Sequence, residues 1–357
     1  MNAKIFDNRS SSLCDPSLIG LGPNLVVASF RLMKILPAKY IIERGIARGE
    51  IHRDVPIVES SSGTFALGIG IVCAEKGIPF HIVSDAAIDD RLEELLQHLG
   101  GKVQIVGSGL GTDNNIQVMR LEALQELIRD NPRTFWTRQY DNLDNQRAYR
   151  EFAEQLLNTL GTDIVVVATV GSGGSSCGTI KTLREIDPSI KLVGVDTFGS
   201  VLFGLPVGKR KLRGLGNSIH PGNLDHSCFD EVHWVSAGDA FAWTRRLHSE
   251  FGLFCGPTSG AAYQVARWLH APGKTVVFLA PDEGYRYMDT VFNRQWLAAN
   301  EFDRVVPTEA PTRVSHPAQA SGPWAYIEWD RRTLAEVTGQ PHLVVPVMEQ
   351  LGRRPSW

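Results

Sequence analysis

Four short segments of the chain carry groups that can do chemistry together. Lys34 supplies a primary amine, which attacks carbonyl carbon once it is neutral. Small polar loops at residues 60–66 and 171–178 can present backbone N–H groups to anions, and Thr258 and Ser259 supply a pair of hydroxyls. Together they supply what a pyridoxal phosphate (PLP) site requires.

Lys34 lies at a junction between two elements. The apolar run at residues 24–28 precedes it and predicts a strand, and a helical pattern begins close behind it near Ala38. A lysine in this position can also be an ordinary surface residue. Its interpretation therefore depends on the other three segments.

The second loop follows a strongly apolar run at residues 164–167 and leads directly into a helical pattern. Its residues are Gly171, Ser172, Gly173, Gly174 and Ser175. Free N–H groups at a helix N-terminus bind phosphate, and missing side chains allow close approach. A tight structural turn would have the same composition. The glycine spacing does not match the dinucleotide fingerprint, and no Gly-Lys-Ser/Thr follows to make a nucleotide-binding P-loop.

The first loop has the same arrangement of strand, small polar residues and helix. It contains Ser61, Ser62, Gly63 and Thr64. Backbone N–H groups and hydroxyls at a helix N-terminus can hold a substrate carboxylate. The alternative is an N-cap cluster that only starts the helix.

Composition narrows the class of protein. The chain has 357 residues, a formal net charge of -3 and 43% hydrophobic residues, which predicts one or two well-buried domains and no nucleic-acid partner. No apolar run is long enough to cross a membrane, and the serine-rich N-terminus has no secretory apolar core. Five scattered cysteines without CxxC spacing predict a reduced, cytoplasmic location and no metal site.

Strand and helix patterns alternate from about residue 24 to residue 292. Continuous apolar runs such as residues 164–167 and 276–279 are typical of strands covered on both faces. This alternation predicts an α/β protein with helices on both faces of parallel sheets. After residue 292 the pattern fades, and residues 306–322 have the composition of a linker or wrapping arm, with a short helix expected near residues 330–338.

Taken in chain order, the four segments resemble the cysteine synthase family, the β-replacing PLP enzymes of fold type II. The corresponding parts here are Lys34, residues 61–64, residues 171–175 and residues 258–260, and residues 281–287 resemble the closing motif of the family. The resemblance covers about residues 19–292. Three departures are visible: Ile35 and Leu36 follow the lysine, Thr64 stands where the family has asparagine, and the segment before Lys34 lacks the usual Asn-Pro-x-Gly-Ser.

The resemblance implies a set of roles. Lys34 would bind PLP covalently and move the α-proton of the substrate. The PLP phosphate would be held by Gly171, Ser172, Gly173, Gly174 and Ser175, and the pyridine nitrogen by Thr258 or Ser259. Thr64 would contact both the cofactor and the substrate carboxylate. The substrate would also be bound by Ser61, Ser62, Gly63, Tyr140 and Gly214.

The resemblance also implies a fold and a reaction. We expect two doubly wound αβα domains with the cofactor between them: a large domain of residues 19–54 and 143–292, a smaller mobile substrate domain of residues 55–142, a flexible N-terminus at 1–18 and a C-terminal extension at 293–357.

Further similarity, at Met33-Lys34 and residues 199–204, 214–216 and 286–289, is to the members of this family that act in siderophore pathways. It implies β-replacement on O-phospho-L-serine or O-acetyl-L-serine by an amine such as L-glutamate, giving a 2,3-diaminopropionate precursor, in a homodimer. A sulfur nucleophile, as in cysteine synthase or cystathionine β-synthase, and a catalytically impaired relative with a binding role remain alternatives.

Overall fold

The computed structural model describes residues 5–107 and 116–340, which form two sheets with helices packed on both faces. The strands are β1 (Ser17–Gly20), β2 (Leu25–Ser29), β3 (Ile57–Ser60), β4 (Phe80–Asp85), β5 (Lys102–Val106), β6 (Phe135–Trp136), β7 (Ile164–Thr169), β8 (Lys191–Thr197), β9 (Glu231–Val235), β10 (Thr275–Ala280), β11 (Thr312–Arg313) and β12 (Trp324–Glu328).

The helices connect and cover these strands. They are α1 (Arg9–Cys14), α2 (Ile35–Ala47), α3 (Thr64–Lys76), α4 (Asp90–His98), α5 (Ile116–Asp130), α6 (Asp144–Arg147), α7 (Arg150–Leu160), α8 (Gly174–Ile186), α9 (Ala237–Phe251), α10 (Pro257–Leu269), α11 (Arg294–Ala299) and α12 (Leu334–Thr338). Short 3-10 helices cover His226–Cys228, Gly284–Tyr287 and Pro317–Gln319.

The large sheet has the strand order β1-β2-β10-β7-β8-β9-β12-β11. Strands β2, β10, β7, β8 and β9 run parallel, and separate apolar clusters cover the two faces of this parallel core. Val165, Val166 and Val167 divide between the two clusters, because successive residues of a strand point to opposite faces. Burial on both faces explains why these strands are continuous apolar runs.

The smaller sheet has the order β5-β4-β3-β6, and all its strands are parallel. Helices α2, α3 and α4 contribute to the apolar cluster on one face, and α5 contributes to a smaller cluster on the other. The loops that carry the candidate residues follow the carboxyl ends of β2, β7 and β3. Ligands of open α/β sheets bind at this end.

The described residues near the start of the chain include a short helix. Residues 9–14 form α1, whose N-cap Asn8 accepts a hydrogen bond from the Ser11 N–H. Leu13 is buried in the cluster of α2 and α3, and the Ser10 N–H donates to Glu75. Burial of Leu13 and the part-buried hydrogen bond from Ser10 to Glu75 hold this segment against α2 and α3.

The C-terminal extension becomes part of the large sheet. Strand β12 pairs antiparallel with β9 over five residues, so it closes an edge that would otherwise be open. Trp324 and Trp329 are almost completely buried, and Arg331 bonds to Asp230 at 2.9 Å. None of the helices in the described ranges is both long and apolar enough to pass through a membrane.

Candidate active site

Lys34 lies at the carboxyl end of β2, immediately before α2. The connecting loop is fixed to β10 and the segment after it, because the Phe30 N–H donates to the Ala280 carbonyl and the Met33 N–H to the Pro281 carbonyl, both at 2.8 Å. The expected helix start near Ala38 was three residues late. Pro37 lies in the first turn of α2, where its missing N–H costs nothing.

The environment of Lys34 favours the neutral amine. Burial lowers the pKa of Lys34 to about 8, and the Glu59 carboxylate, which acts in the opposite direction, offsets this only in part. An amine with this pKa is a nucleophile at near-neutral pH, unlike an exposed lysine. Ile35 and Leu36, the departures from the family pattern, point into the apolar clusters and are buried.

The Ser61 to Thr64 loop packs close to Lys34. Helix α3 begins at Thr64, with Gly63 as its N-cap, and the Ser61 N–H donates to the Val83 carbonyl at 3.1 Å. One turn into α3, a Cβ atom on Gly68 would lie only 2.9 Å from the Lys34 carbonyl oxygen. The glycine therefore lets the first turns of α3 approach the Lys34 backbone.

Residues 171–175 form a cup between β7 and α8. Helix α8 begins at Gly174, whereas the apolar pattern predicts a start four residues later, at Gly178. The difference arises because the small residues of the loop carry no periodic signal. Gly173 has φ +82°, which glycine adopts at little cost. Ser172 and Ser175 are buried, and the Gly174 N–H lies 3.4 Å from the Ser172 hydroxyl. The first N–H groups of α8 therefore face the cup.

Asn223 and Asn145 pack against the two glycines of the cup, Gly173 and Gly174. A Cβ atom on Gly173 would lie 2.6 Å from the Asn223 carbonyl oxygen, and one on Gly174 would lie 2.2 Å from the Asn145 side chain. Both asparagine side chains donate to the Gln139 carbonyl, at 3.1 and 2.6 Å. The sequence reasoning missed this support, because isolated asparagines in loops carry no pattern.

Gly214 connects the cup with Thr258. A Cβ atom on Gly171 would lie 3.4 Å from the Gly214 carbonyl oxygen, and one on Gly214 would lie 3.7 Å from Thr258 Cγ2. Thr258 is 3% exposed, and its hydroxyl has no hydrogen-bond partner among residues 5–107 and 116–340. Ser259 is fully buried about 100° further round α10, so the two hydroxyls do not face the same way.

Tyr140 is buried between the two sheets' connecting segments. It packs with Leu121 and Ile219, and its carbonyl accepts a hydrogen bond from the Asn223 N–H at 2.8 Å. Asn223 also contacts Gly173. Tyr140 is thus tied through one residue to the cup.

Glu59 is a central residue that the sequence reasoning did not select. It is completely buried at the end of β3, where its carboxylate accepts hydrogen bonds from the Ser60 N–H at 2.7 Å, the Gln139 N–H at 3.0 Å and the Thr137 hydroxyl. Burial raises the pKa of Glu59 to about 7, against these hydrogen bonds. A glutamate inside an apolar strand was the available signal.

The segment at residues 281–287 packs against the start of α10. Tyr287 donates to the buried Asp282 at 2.7 Å, and Gly256, the N-cap of α10, packs against both. Arg286 donates to Asp89 at 2.8 Å, which links this segment to the start of α4 on the smaller sheet.

These residues fit PLP. The cup supplies helix N–H groups and hydroxyls for a phosphate, Lys34 supplies an amine of lowered pKa, and Thr258 supplies a buried hydroxyl that lacks a partner within the described chain. Among the residues that the structure covers, no group of three or more His, Cys, Asp or Glu side chains is placed so that it could hold a metal ion.

Comparison with known proteins agrees with this interpretation. The family model described as pyridoxal-phosphate dependent enzyme matches residues 30–282, which contain Lys34, both loops, Tyr140, Gly214, Thr258 and Ser259. The N-(2-amino-2-carboxyethyl)-L-glutamate synthase of Cupriavidus metallidurans is 34% identical over 286 residues, or 78% of this chain and 84% of that protein. The protein of the same name from Ralstonia nicotianae is 34% identical over 272 residues, or 74% and 80%.

A solved structure shows the same fold. The O-acetylserine dependent cystathionine beta-synthase from Helicobacter pylori matches with a TM-score of 0.74 at 24% identity, over 81% of this chain and 99% of that one. The fold is therefore that of the fold type II PLP enzymes, as the sequence predicted, and PLP is the cofactor. The chain belongs to the pyridoxal-phosphate dependent enzyme family.

Proposed function

We propose that this enzyme performs β-replacement on O-phospho-L-serine or O-acetyl-L-serine with the amine of L-glutamate. The product would be N-(2-amino-2-carboxyethyl)-L-glutamate, a precursor of 2,3-diaminopropionate. The observation that carries the choice of an amine nucleophile is the 34% identity, over most of both chains, to two proteins with that synthase name.

The site supports the chemistry of this proposal. Residues 171–175 would hold the phosphate of PLP, and Thr258 would hydrogen-bond the pyridine nitrogen. PLP, when bound, supplies an electron sink for the α-carbon of an attached amino acid. A neutral hydroxyl such as Thr258 gives that nitrogen no permanent charge.

Lys34 and the Ser61 to Thr64 loop would handle the serine substrate. The start of α3 would bind the α-carboxylate through its free N–H groups and hydroxyls. Lys34, beside that loop, would take the proton from Cα. The Cβ–O bond then breaks, and the phosphate or acetate leaves with its electron pair. The glutamate nitrogen forms a bond to Cβ and loses a proton, and Lys34 returns a proton to Cα. Tyr140 would line the substrate side of this space.

The four-stranded unit would act as the smaller, moving part. Helix α3 carries the proposed carboxylate loop, and Arg286 and Asp89 bridge the two sheets at 2.8 Å. Binding of the carboxylate would draw this unit toward Lys34. We further propose a cytoplasmic homodimer in a siderophore or related pathway. All five cysteines are free thiols, which supports a reducing compartment.

Product mass distinguishes the candidate reactions. The purified enzyme is incubated with each serine donor and with L-glutamate, sulfide or L-homocysteine. The proposal predicts a product in which glutamate carries a 2-amino-2-carboxyethyl group on nitrogen. Efficient formation of cysteine or cystathionine without the glutamate adduct would contradict it. Stable PLP binding without turnover of any donor would favour the impaired relative.

A further inference from the structure

Arg213 occupies a distinctive position beside the candidate site. It directly precedes Gly214, which contacts both the cup at Gly171 and the Thr258 side chain. Gly214 has φ +77°, so the chain turns sharply at this point. Arg213 is exposed, and within the described residues no carboxylate lies within 4 Å of it.

The neighbouring basic residues are committed elsewhere. Arg210 donates to the Gly199 carbonyl at 2.7 Å, and Lys211 donates to the Asn300 side chain at 2.9 Å. Lys209 is exposed and lies farther along the chain from Gly214. Arg213 is therefore the cation of this run that is both available and adjacent to the site.

Asp89 and the Tyr287 hydroxyl lie within electrostatic range of Arg213. Asp89 and Arg286 form the ion pair that links the two sheets, and the Tyr287 hydroxyl donates a hydrogen bond to Asp282. Although burial raises it, the pKa of Asp89 is held below its usual value by Arg286 and, more weakly, by Arg213. A carboxylate is thus already stabilised in this neighbourhood, and Arg213 remains free to bind a second one.

We propose that Arg213 binds the side-chain carboxylate of the amine acceptor and selects an acidic amino acid over a neutral one. This assignment rests on the proposed function, and it adds the residue that recognises the second substrate. A guanidinium matches a carboxylate with two parallel hydrogen bonds, which gives direction as well as attraction.

The acceptor fits Arg213 better than the serine donor does. The donor is already held at its α-carboxylate by the start of α3 and at its amine by the cofactor. The acceptor must enter from solvent and present its amine to Cβ, so its distal carboxylate extends back toward the exposed rim where Arg213 lies. This geometry predicts an effect on the acceptor alone.

The test compares Arg213→Gln, Arg213→Lys and a control, Arg304→Gln, in the PLP-loaded enzyme. Arg304 is 94% exposed and lies outside the site. Loss of the charged contact should raise KM for glutamate about tenfold to a hundredfold, with KM for the donor unchanged. Arg213→Lys should recover part of that loss, and Arg304→Gln should match the wild type.

Two further readouts test recognition itself. The preference of the wild type for glutamate over glutamine should collapse in Arg213→Gln, because a neutral side chain cannot discriminate the charge. Calorimetric titration of L-glutamate into each variant should show the same loss of affinity without turnover. An unchanged KM for glutamate, or a raised KM for the donor instead, would overturn the assignment while leaving the proposed reaction intact. A wild type that never uses glutamate would overturn both.

Discussion

Gly173 in the phosphate cup gives a prediction that can be worked out from the coordinates. In Gly173→Ala, the alanine would have to keep φ +82°. Its Cβ would lie 2.6 Å from both the Asn223 carbonyl oxygen and the Leu224 Cα. The left-handed conformation costs about 1–2 kcal/mol for alanine, and the overlap with backbone that cannot move aside costs about 1–3 more. We expect the apoprotein to lose about 2–5 kcal/mol of unfolding free energy.

A matched glycine separates the two costs. Gly252 ends α9 with φ +69°, and a Cβ there would meet nothing within 4 Å. Gly252→Ala should therefore lose only about 1–2 kcal/mol, which is the conformational part. Urea unfolding of both apoproteins measures the difference.

The same substitution should weaken PLP binding. Moving the start of α8 displaces the N–H groups that would face the phosphate, and loss of even one charge-assisted bond weakens affinity about tenfold or more. Titration of each apoprotein with PLP, followed by visible absorbance, gives the affinity. A Gly173→Ala protein that unfolds like Gly252→Ala and binds PLP as the wild type does would refute the assignment of residues 171–175 as the phosphate site.

Four other residues give distinct expectations. Thr258→Val should leave the apoprotein as stable or about 1 kcal/mol more stable in urea unfolding, since it removes a buried hydroxyl without a partner in the described chain, yet should weaken PLP binding about three- to tenfold. The rate at which the apoprotein takes up PLP, measured by stopped-flow absorbance, should rise with pH to half-maximum near pH 8, because burial lowers the pKa of Lys34 to about 8. Burial raises the pKa of Glu59 from 4.5 to about 7, so stability present below pH 4.5 should fall by roughly 3 kcal/mol as pH rises through about 7, and Glu59→Gln should flatten this dependence in urea unfolding. Asp89→Asn should keep the N-cap of α4 but lose the ion pair with Arg286, so amide hydrogen exchange in α4 should accelerate about fivefold.

Each expectation has a clear opposite. A destabilised Thr258→Val apoprotein would mean that the hydroxyl already has a partner there. Uptake of PLP that keeps rising toward pH 10 would mean an ordinary, solvated Lys34. Identical pH profiles for wild type and Glu59→Gln would assign the acid dependence to other groups, and unchanged exchange in α4 would show that the bridge to Arg286 contributes nothing measurable.

The fold was readable from the sequence where burial was continuous. The alternating patterns predict a strand at Lys102–Val106 and helices at Thr64–Lys76, Ile116–Asp130 and Ala237–Phe251, and β5, α3, α5 and α9 have these same bounds. The strands β1 and β12 were missed, because a short edge strand and a strand recruited from a proline-rich extension lack a continuous apolar run. Tertiary pairing, not local propensity, makes them strands.

The candidate site divides in the same way. Order along the chain was enough to select these residues. Lys34 and the two loops each follow a strand and start a helix, and the hydroxyl pair lies at the start of α10. Glu59 escaped notice, since its role comes from hydrogen bonds to Thr137 and Gln139, about eighty residues away in sequence. Sequence patterns carry local geometry, whereas these bonds depend on the pairing of β3 with β6 in the smaller sheet.

The most direct test of the central claim is to locate the covalent attachment of the cofactor. The enzyme is purified with PLP, reduced with borohydride, digested and mapped by mass spectrometry, with Lys34→Ala in parallel. We expect a single PLP adduct, on the peptide that contains Lys34. In Lys34→Ala, both that adduct and the visible absorption band should be lost. An adduct on a different lysine, or an equal band in the Lys34→Ala protein, would contradict it.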